Sequence, residues 1–111
     1  MGSMIRGEVW WVEFDPAIGS EIRKTRPAII VSNNAANRHM ERVQVIPLSS
    51  NVDRIYPSET VVTLAGQKSK AMADQLMTAD KRRLKKVIGN LSQADMRAVD
   101  LIMKIQLGID T

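Results

Sequence analysis

Ala28 to Val31 ("AIIV") is an unbroken apolar run, preceded by Arg26 and Pro27 and closed by Ser32 and two asparagines. A run of that length without alternation reads as a buried strand. Pro27 fixes its own φ and restricts Arg26 to an extended backbone. Arg26 and the nearby cations Arg23 and Lys24 thus stand at the mouth of a core strand, and the fold must accommodate both facts.

Strand patterns recur around this one. In "EVWWVEF", Glu8 to Phe14, the residues Trp10, Val12 and Phe14 share one side, and Val9, Trp11 and Glu13 the other. Asp15 to Thr25 then reads as a long polar loop, of a length that leans functional. Further strands are expected at Pro27–Ser32, Val43–Leu48, Glu59–Leu64 and Lys86–Leu91, with a short strand-like stretch at Lys70–Thr78 after a turn at Ala65–Ser69. "NNAANRHMER" has turn and short-helix character. From Ser92 the signals become helical: Ser92 caps, Asp95 occupies the capping-box position, and Leu91 can staple to Met96. Gln93, Arg97, Asp100 and Lys104 form one narrow polar strip, while apolar residues occupy roughly 220° of the helix circumference. Packing on one sheet needs only about 100° of apolar face. The excess calls for a second buried contact, either another subunit or a deeper groove within the chain. The expected architecture is mainly β with a C-terminal α-helix, a small, mostly antiparallel β-barrel or curled sheet. Met1 to Ser3 reads as a cloning scar, and residues 4–111 as one domain.

Sixteen Lys and Arg against twelve Asp and Glu give a net charge of +4, with a sequence pI near 9.8, which favours a polyanionic partner. There is no cysteine, hence no disulfide framework or thiolate metal site, and a reducing cytoplasm is expected. No apolar stretch approaches the ~20 residues that span a bilayer. The single histidine, His39, cannot form an acid–base pair within one chain. Acidic residues are scattered, so neither a metal site nor a cofactor is expected, and "AGQKSK" lacks the spacing of a phosphate-cradling loop. Arginine and hydroxyls are what the chain offers. An RNA substrate carries its own nucleophile, the 2′-OH, so a protein need only align it, neutralise the pentacoordinate phosphate and manage two protons. The planar fork of Arg26 suits the second task. The alternative is an Arg26 that reaches off a strand end to pair with Glu21 or Glu13.

The segments "RGEVWWVEFDPAIGSE", "TRPAIIVSNN", "VIPLSSN", "YPSETVV" and "MADQ" follow one another over essentially the whole chain from Met4. In this order and spacing the chain resembles the MazF/PemK (Kid) toxins, the mRNA interferases of type II toxin–antitoxin systems. The resemblance implies a barrel of the CcdB/PemK toxin type, a homodimer, and a cognate MazE-like antitoxin with an acidic C-terminal tail. It also implies a metal-independent, sequence-specific endoribonuclease acting on single-stranded RNA, with no cofactor. Attack by the 2′-OH would leave a 2′,3′-cyclic phosphate or 3′-phosphate and a 5′-OH, arresting translation and growth. By position, the family's "RP" arginine is Arg26, and its catalytic hydroxyl, usually threonine, falls on Ser49, with Ser50 able to share the role. Glu21 is the loop acid and candidate general base; Asp74 and Gln75 match the family's "DQ". Arg23 and Lys24 would meet phosphates, Asn33, Asn34 and Gln75 would read base edges, and Trp10 or Trp11 would stack a base or fill the core. Met72 and Ser20 stand where some members carry an arginine and a histidine, so that acid–base set is absent. The basic run Lys81–Lys86 would extend the RNA track or meet the antitoxin tail. A toxin of the same fold that binds a protein such as gyrase is the competing reading.

Overall fold

A computed structural model describes residues 4–15 and 24–110. Their elements are β1 (Glu8–Glu13), β2 (Thr25–Ile30), α1 (Asn34–His39), β3 (Arg42–Ser49), β4 (Glu59–Leu64), β5 (Gln67–Met72), β6 (Met77–Asp80), β7 (Leu84–Asn90) and α2 (Gln93–Leu107). Single 3₁₀ turns at Ala73–Gln75 and Lys81–Arg83 precede β6 and β7. Neighbouring strands pair antiparallel in the order β4-β5-β3-β2-β1-β7, with β6 also on β3. The order ends at β4 and β7, and the Leu64 side chain of β4 reaches Gly89 of β7, where an added Cβ would lie 3.6 Å from Leu64 Cδ1. The sheet curls around the core as a half-barrel, the mainly β architecture expected, with α2 at its end.

The apolar run of β2 is covered on both faces. Ile29 and Val31 join Val9, Ile46, Leu48 and the α2 residues Val99 and Ile102 in one core. Ala28 and Ile30 join Val12, Phe14, Val43 and Val45 in a second core on the other face. Trp10 packs against the second core, donating its Nε1 to Glu8 Oε1 at 3.1 Å. Burying both sides of β2 is what a continuous hydrophobic strand without alternation demands.

Pro47 is tolerated inside β3 for a topological reason. The bond from Val31 N–H to Gln44 O (2.9 Å) shows that even residues of β3 face β2. Odd ones therefore face the opposite edge, where β6 pairs with Arg42–Val45 and β5 with Leu48 and Ser49. Pro47 sits at the change of partner, where a missing N–H costs the ladder least.

Three expectations shift. The stretch Gln67–Ser69 is strand rather than turn, the chain reversing on Ala65 and Gly66 alone. Lys70–Thr78 divides into the end of β5, a 3₁₀ turn and β6, and the last strand begins at Leu84 instead of Lys86. Ser92 caps α2 as expected, accepting from Asp95 N–H at 3.1 Å. Asp95, however, turns its carboxylate to Thr63 N–H (2.9 Å), tying the helix to β4 instead of closing a capping box. At the N-terminal end, Arg6 pairs with Asp100 and donates Nε to Val31 O at 2.9 Å, fastening the chain start to both α2 and β2. Among the described residues, no helix is long and apolar enough to cross a membrane.

Candidate functional site

Pro27 shapes the site by what it cannot donate. On β2, odd residues face β3 and even residues face β1, as the Val31 N–H to Gln44 O and Phe14 N–H to Lys24 O bonds show (both 2.9 Å). Pro27 has no N–H for β3, and the β2–β3 register ends at Ala28↔Pro47. Pairing with β1 continues through Val12↔Arg26 to Glu13↔Thr25. The backbone of Arg26 is thus held by β1 while β2 and β3 part in front of it. A groove of about 330 Å³ occupies the opening. Trp11, Pro27 and Leu48 form its apolar wall, and Lys24, Arg26, Ser50 and Ser69 its polar one.

The two serines at the end of β3 divide. Ser50 is exposed and lines the groove with Arg26. Ser49 precedes it on the strand and pairs with Lys70 of β5. Arg26 and Ser49 each lie two residues beyond Ala28↔Pro47, the last β2–β3 pair, where the two strands have parted. Ser49 Oγ accepts from Asn51 N–H at 3.2 Å, which leaves its own hydrogen for another acceptor.

Lys24 lines the groove with its backbone at φ 64, a left-handed conformation rare for a non-glycine residue. Two contacts hold it there: its N–H donates to Asp15 Oδ1 (3.0 Å), and its carbonyl accepts from Phe14. Arg83 clamps the start of the same loop, donating Nη1 to Glu13 O (3.0 Å) and Asp15 O (2.6 Å). Glu21, Arg23 and Ser20 lie outside the described residues.

Other expected contacts do not gather at the groove. Asn33 spends its Oδ1 on capping α1 through Ala36 N–H (2.8 Å). It follows the end of β2 and is not among the residues that line the groove. Asn34 Oδ1 accepts from Arg6 N–H at 2.7 Å. Asp74, exposed, and Gln75, half-buried, occupy the turn between β5 and β6, on the edge of β3 remote from β2. Of the tryptophans, Trp11 lines the groove and Trp10 belongs to the second core.

The basic run is mostly committed within the chain. Lys81 donates to the carbonyl of Asn37, a residue only 1% exposed. Arg82 grips Asp80, and those hydrogen bonds hold the Asp80 carboxyl down to about 2. Arg83 fastens the loop, and Lys85 approaches Glu13 at 4.0 Å. Ser69, which lines the groove, gives no signal in the sequence, where its segment reads as a turn. Among the described residues, no group of three or more His, Asp or Glu side chains is placed to hold a metal ion.

Comparison with known proteins agrees with this architecture. The family described as PemK-like, MazF-like toxin of type II toxin–antitoxin systems matches residues 5–107. A Mycobacterium tuberculosis protein named endoribonuclease MazF9 is 36% identical over 115 residues, covering 96% of this chain and 98% of its own. A mycobacterial endoribonuclease solved in complex with its cognate antitoxin superposes with a TM-score of 0.83 at 24% identity, over 98% of this chain and 99% of that one. MazF from Deinococcus radiodurans reaches a TM-score of 0.86 at 24% identity, over 97% and 99% of the two chains.

Proposed function

The chain belongs to the PemK-like, MazF-like toxins of type II toxin–antitoxin systems, and from that premise we propose that it cuts single-stranded RNA at the Arg26 groove, using the substrate's own 2′-OH and no metal ion. It is an endoribonuclease by family. The observation that supports the finer reading is the end of the β2–β3 ladder at Pro27, where Arg26 lines a groove together with Ser50 and Ser69.

In this mechanism the 2′-OH loses its proton to a base, and the oxygen attacks the adjacent phosphorus. The bond from phosphorus to the 5′-oxygen breaks, and that oxygen takes up a proton. The products are a 2′,3′-cyclic phosphate and a 5′-OH. Arg26 neutralises the surplus negative charge of the pentacoordinate state with its two parallel N–H bonds. Ser49 and Ser50 supply hydroxyl donors to the same phosphate. Glu21 is the proposed base, and Arg23 and Lys24 hold neighbouring phosphates. Asp74 and Gln75 are assigned to the flanking strand of RNA, beyond the cut. The cytoplasm, where messenger RNA is found, is the proposed compartment.

The acidic tail of an antitoxin would compete with RNA for this groove. The basic run is a weaker candidate for that contact, because most of its cations already hold their own chain. A homodimer is supported by α2, which buries Val99 and Ile102 but leaves Leu101 and Ile105 each 48% exposed and Leu107 57% exposed. Light scattering should accordingly give twice the 12.4 kDa chain mass; a monomer at micromolar concentration removes that assignment. The decisive test is digestion of a long single-stranded RNA in EDTA. Discrete fragments with 5′-OH ends are expected, suppressed by the cognate antitoxin, whereas digestion that stops with chelation overturns the mechanism.

A further inference from the structure

Across from Ser49 on β5 begins a cluster that this mechanism does not use. The loop after Ser50 returns to β4 through Tyr56-Pro57-Ser58, and Glu59 locks it. Glu59 N–H donates to Tyr56 O, and Tyr56 N–H donates to Glu59 Oε1, both at 2.9 Å. The same Oε1 receives Lys70 Nζ at 3.0 Å, and Lys70 also donates to Arg54 O at 2.9 Å. The Lys70 and Glu59 side chains are only 12% and 7% exposed. Pro57 further restricts the backbone of Tyr56. The Lys70 ammonium sits 5.6 Å from the centre of the Tyr56 ring, yet the residue is 50% exposed. Arg54 Nη1 lies 3.5 Å from the Tyr56 hydroxyl.

This is an aromatic ring on a rigid turn, with a cation against it and half its surface open to solvent. Core packing does not explain it, since Tyr56 belongs to neither core. Its location is informative: Lys70 is the cross-strand partner of Ser49, and its chain neighbour Ser69 lines the groove with Arg26. We infer that Tyr56 is a stacking platform for a nucleobase flanking the scissile phosphate, with Arg54 placed for the phosphate of that nucleotide. Every base has a π-face, and a ring already fixed loses little entropy when one settles on it. A base on the open side leaves the cation–π contact intact. The inference rests on the endoribonuclease reading for its substrate class. It adds a subsite that neither Arg26 nor the serines provide.

The experiment uses the full chain and an oligoribonucleotide containing one mapped cut, made uncleavable by a single 2′-deoxy sugar there. 2-Aminopurine is placed in turn at each flanking position. Stacking on Tyr56 should quench its fluorescence at one position. Tyr56→Phe should preserve the quenching, and Tyr56→Ala should abolish it. On the cleavable strand, Tyr56→Ala should raise KM about tenfold or more, with kcat within about threefold. Unchanged quenching and KM in Tyr56→Ala overturn the subsite while leaving the nuclease reading in place. Wild-type protein that quenches the strand but never cuts its all-ribose counterpart overturns the nuclease and keeps the subsite.

Discussion

Arg26→Ala should slow RNA cleavage by about 10²-fold or more at saturating substrate, the scale seen when a preorganised donor to a developing oxyanion is removed. The loss should fall on the chemical step. Arg26 makes its charge-assisted contact most strongly when the phosphate carries its extra charge, so kcat suffers more than KM. The fold should survive, because the backbone of residue 26 is held by Val12 across the β1 ladder and the side chain is only half-buried. Arg26→Lys keeps the charge but loses the planar fork, and should recover only part of the rate. Single-turnover cleavage together with urea unfolding reads both quantities. An undiminished rate would remove Arg26 from the mechanism, and a collapsed urea midpoint would make its role structural. The same assay separates the hydroxyls: Ser49→Ala tests the end of β3 and Ser50→Ala the groove, and Ser49→Thr should hold or raise activity by stiffening χ1.

Much of this arrangement is legible in the sequence. The apolar run behind Pro27, the alternation of Glu8–Phe14 and the Ser92 cap depend on near neighbours, and those rules act over a few residues. The width of the apolar face on α2 likewise anticipated side chains that the single chain leaves exposed. What escaped depends on distant backbone. Arg83 and Lys81 look like solvated cations, but their acceptors are carbonyls at Glu13, Asp15 and Asn37, which carry no sequence signature. Asn33 looked like a reader of bases because its capping role needs the first turn of a short helix to be recognised. Asp95 had a plausible local partner in Ser92 and was captured by β4 instead. Most consequential is the groove itself. "RP" is visible in sequence, but whether the missing N–H of Pro27 faces β1 or β3 is decided by register, and only the side facing β3 opens a space beside the serines.

Glu59→Ala should destabilise the protein by about 3 kcal/mol, the lower end of the cost of breaking a buried ion pair. The reason lies in what is left behind. Lys70 would keep its bond to Arg54 O but lose the carboxylate, with its ammonium among side chains that admit little water. Tyr56 N–H loses its acceptor in the same step. For a domain of this size that corresponds to a fall in Tm of roughly 12 °C or more. The pair Glu59→Leu with Lys70→Met should restore most of the stability, since apolar replacements remove both charges from the interior together. It should not restore affinity for RNA if Tyr56 works as a platform, because neither new side chain can fix the 51–58 loop. Thermal unfolding and strand binding measured on the same three proteins separate the two roles of the ion pair. A loss below about 1 kcal/mol in Glu59→Ala would mean that Lys70 swings out to water, as an exposed pair would allow. Full RNA affinity in the stable double variant would mean that the ion pair serves the fold alone.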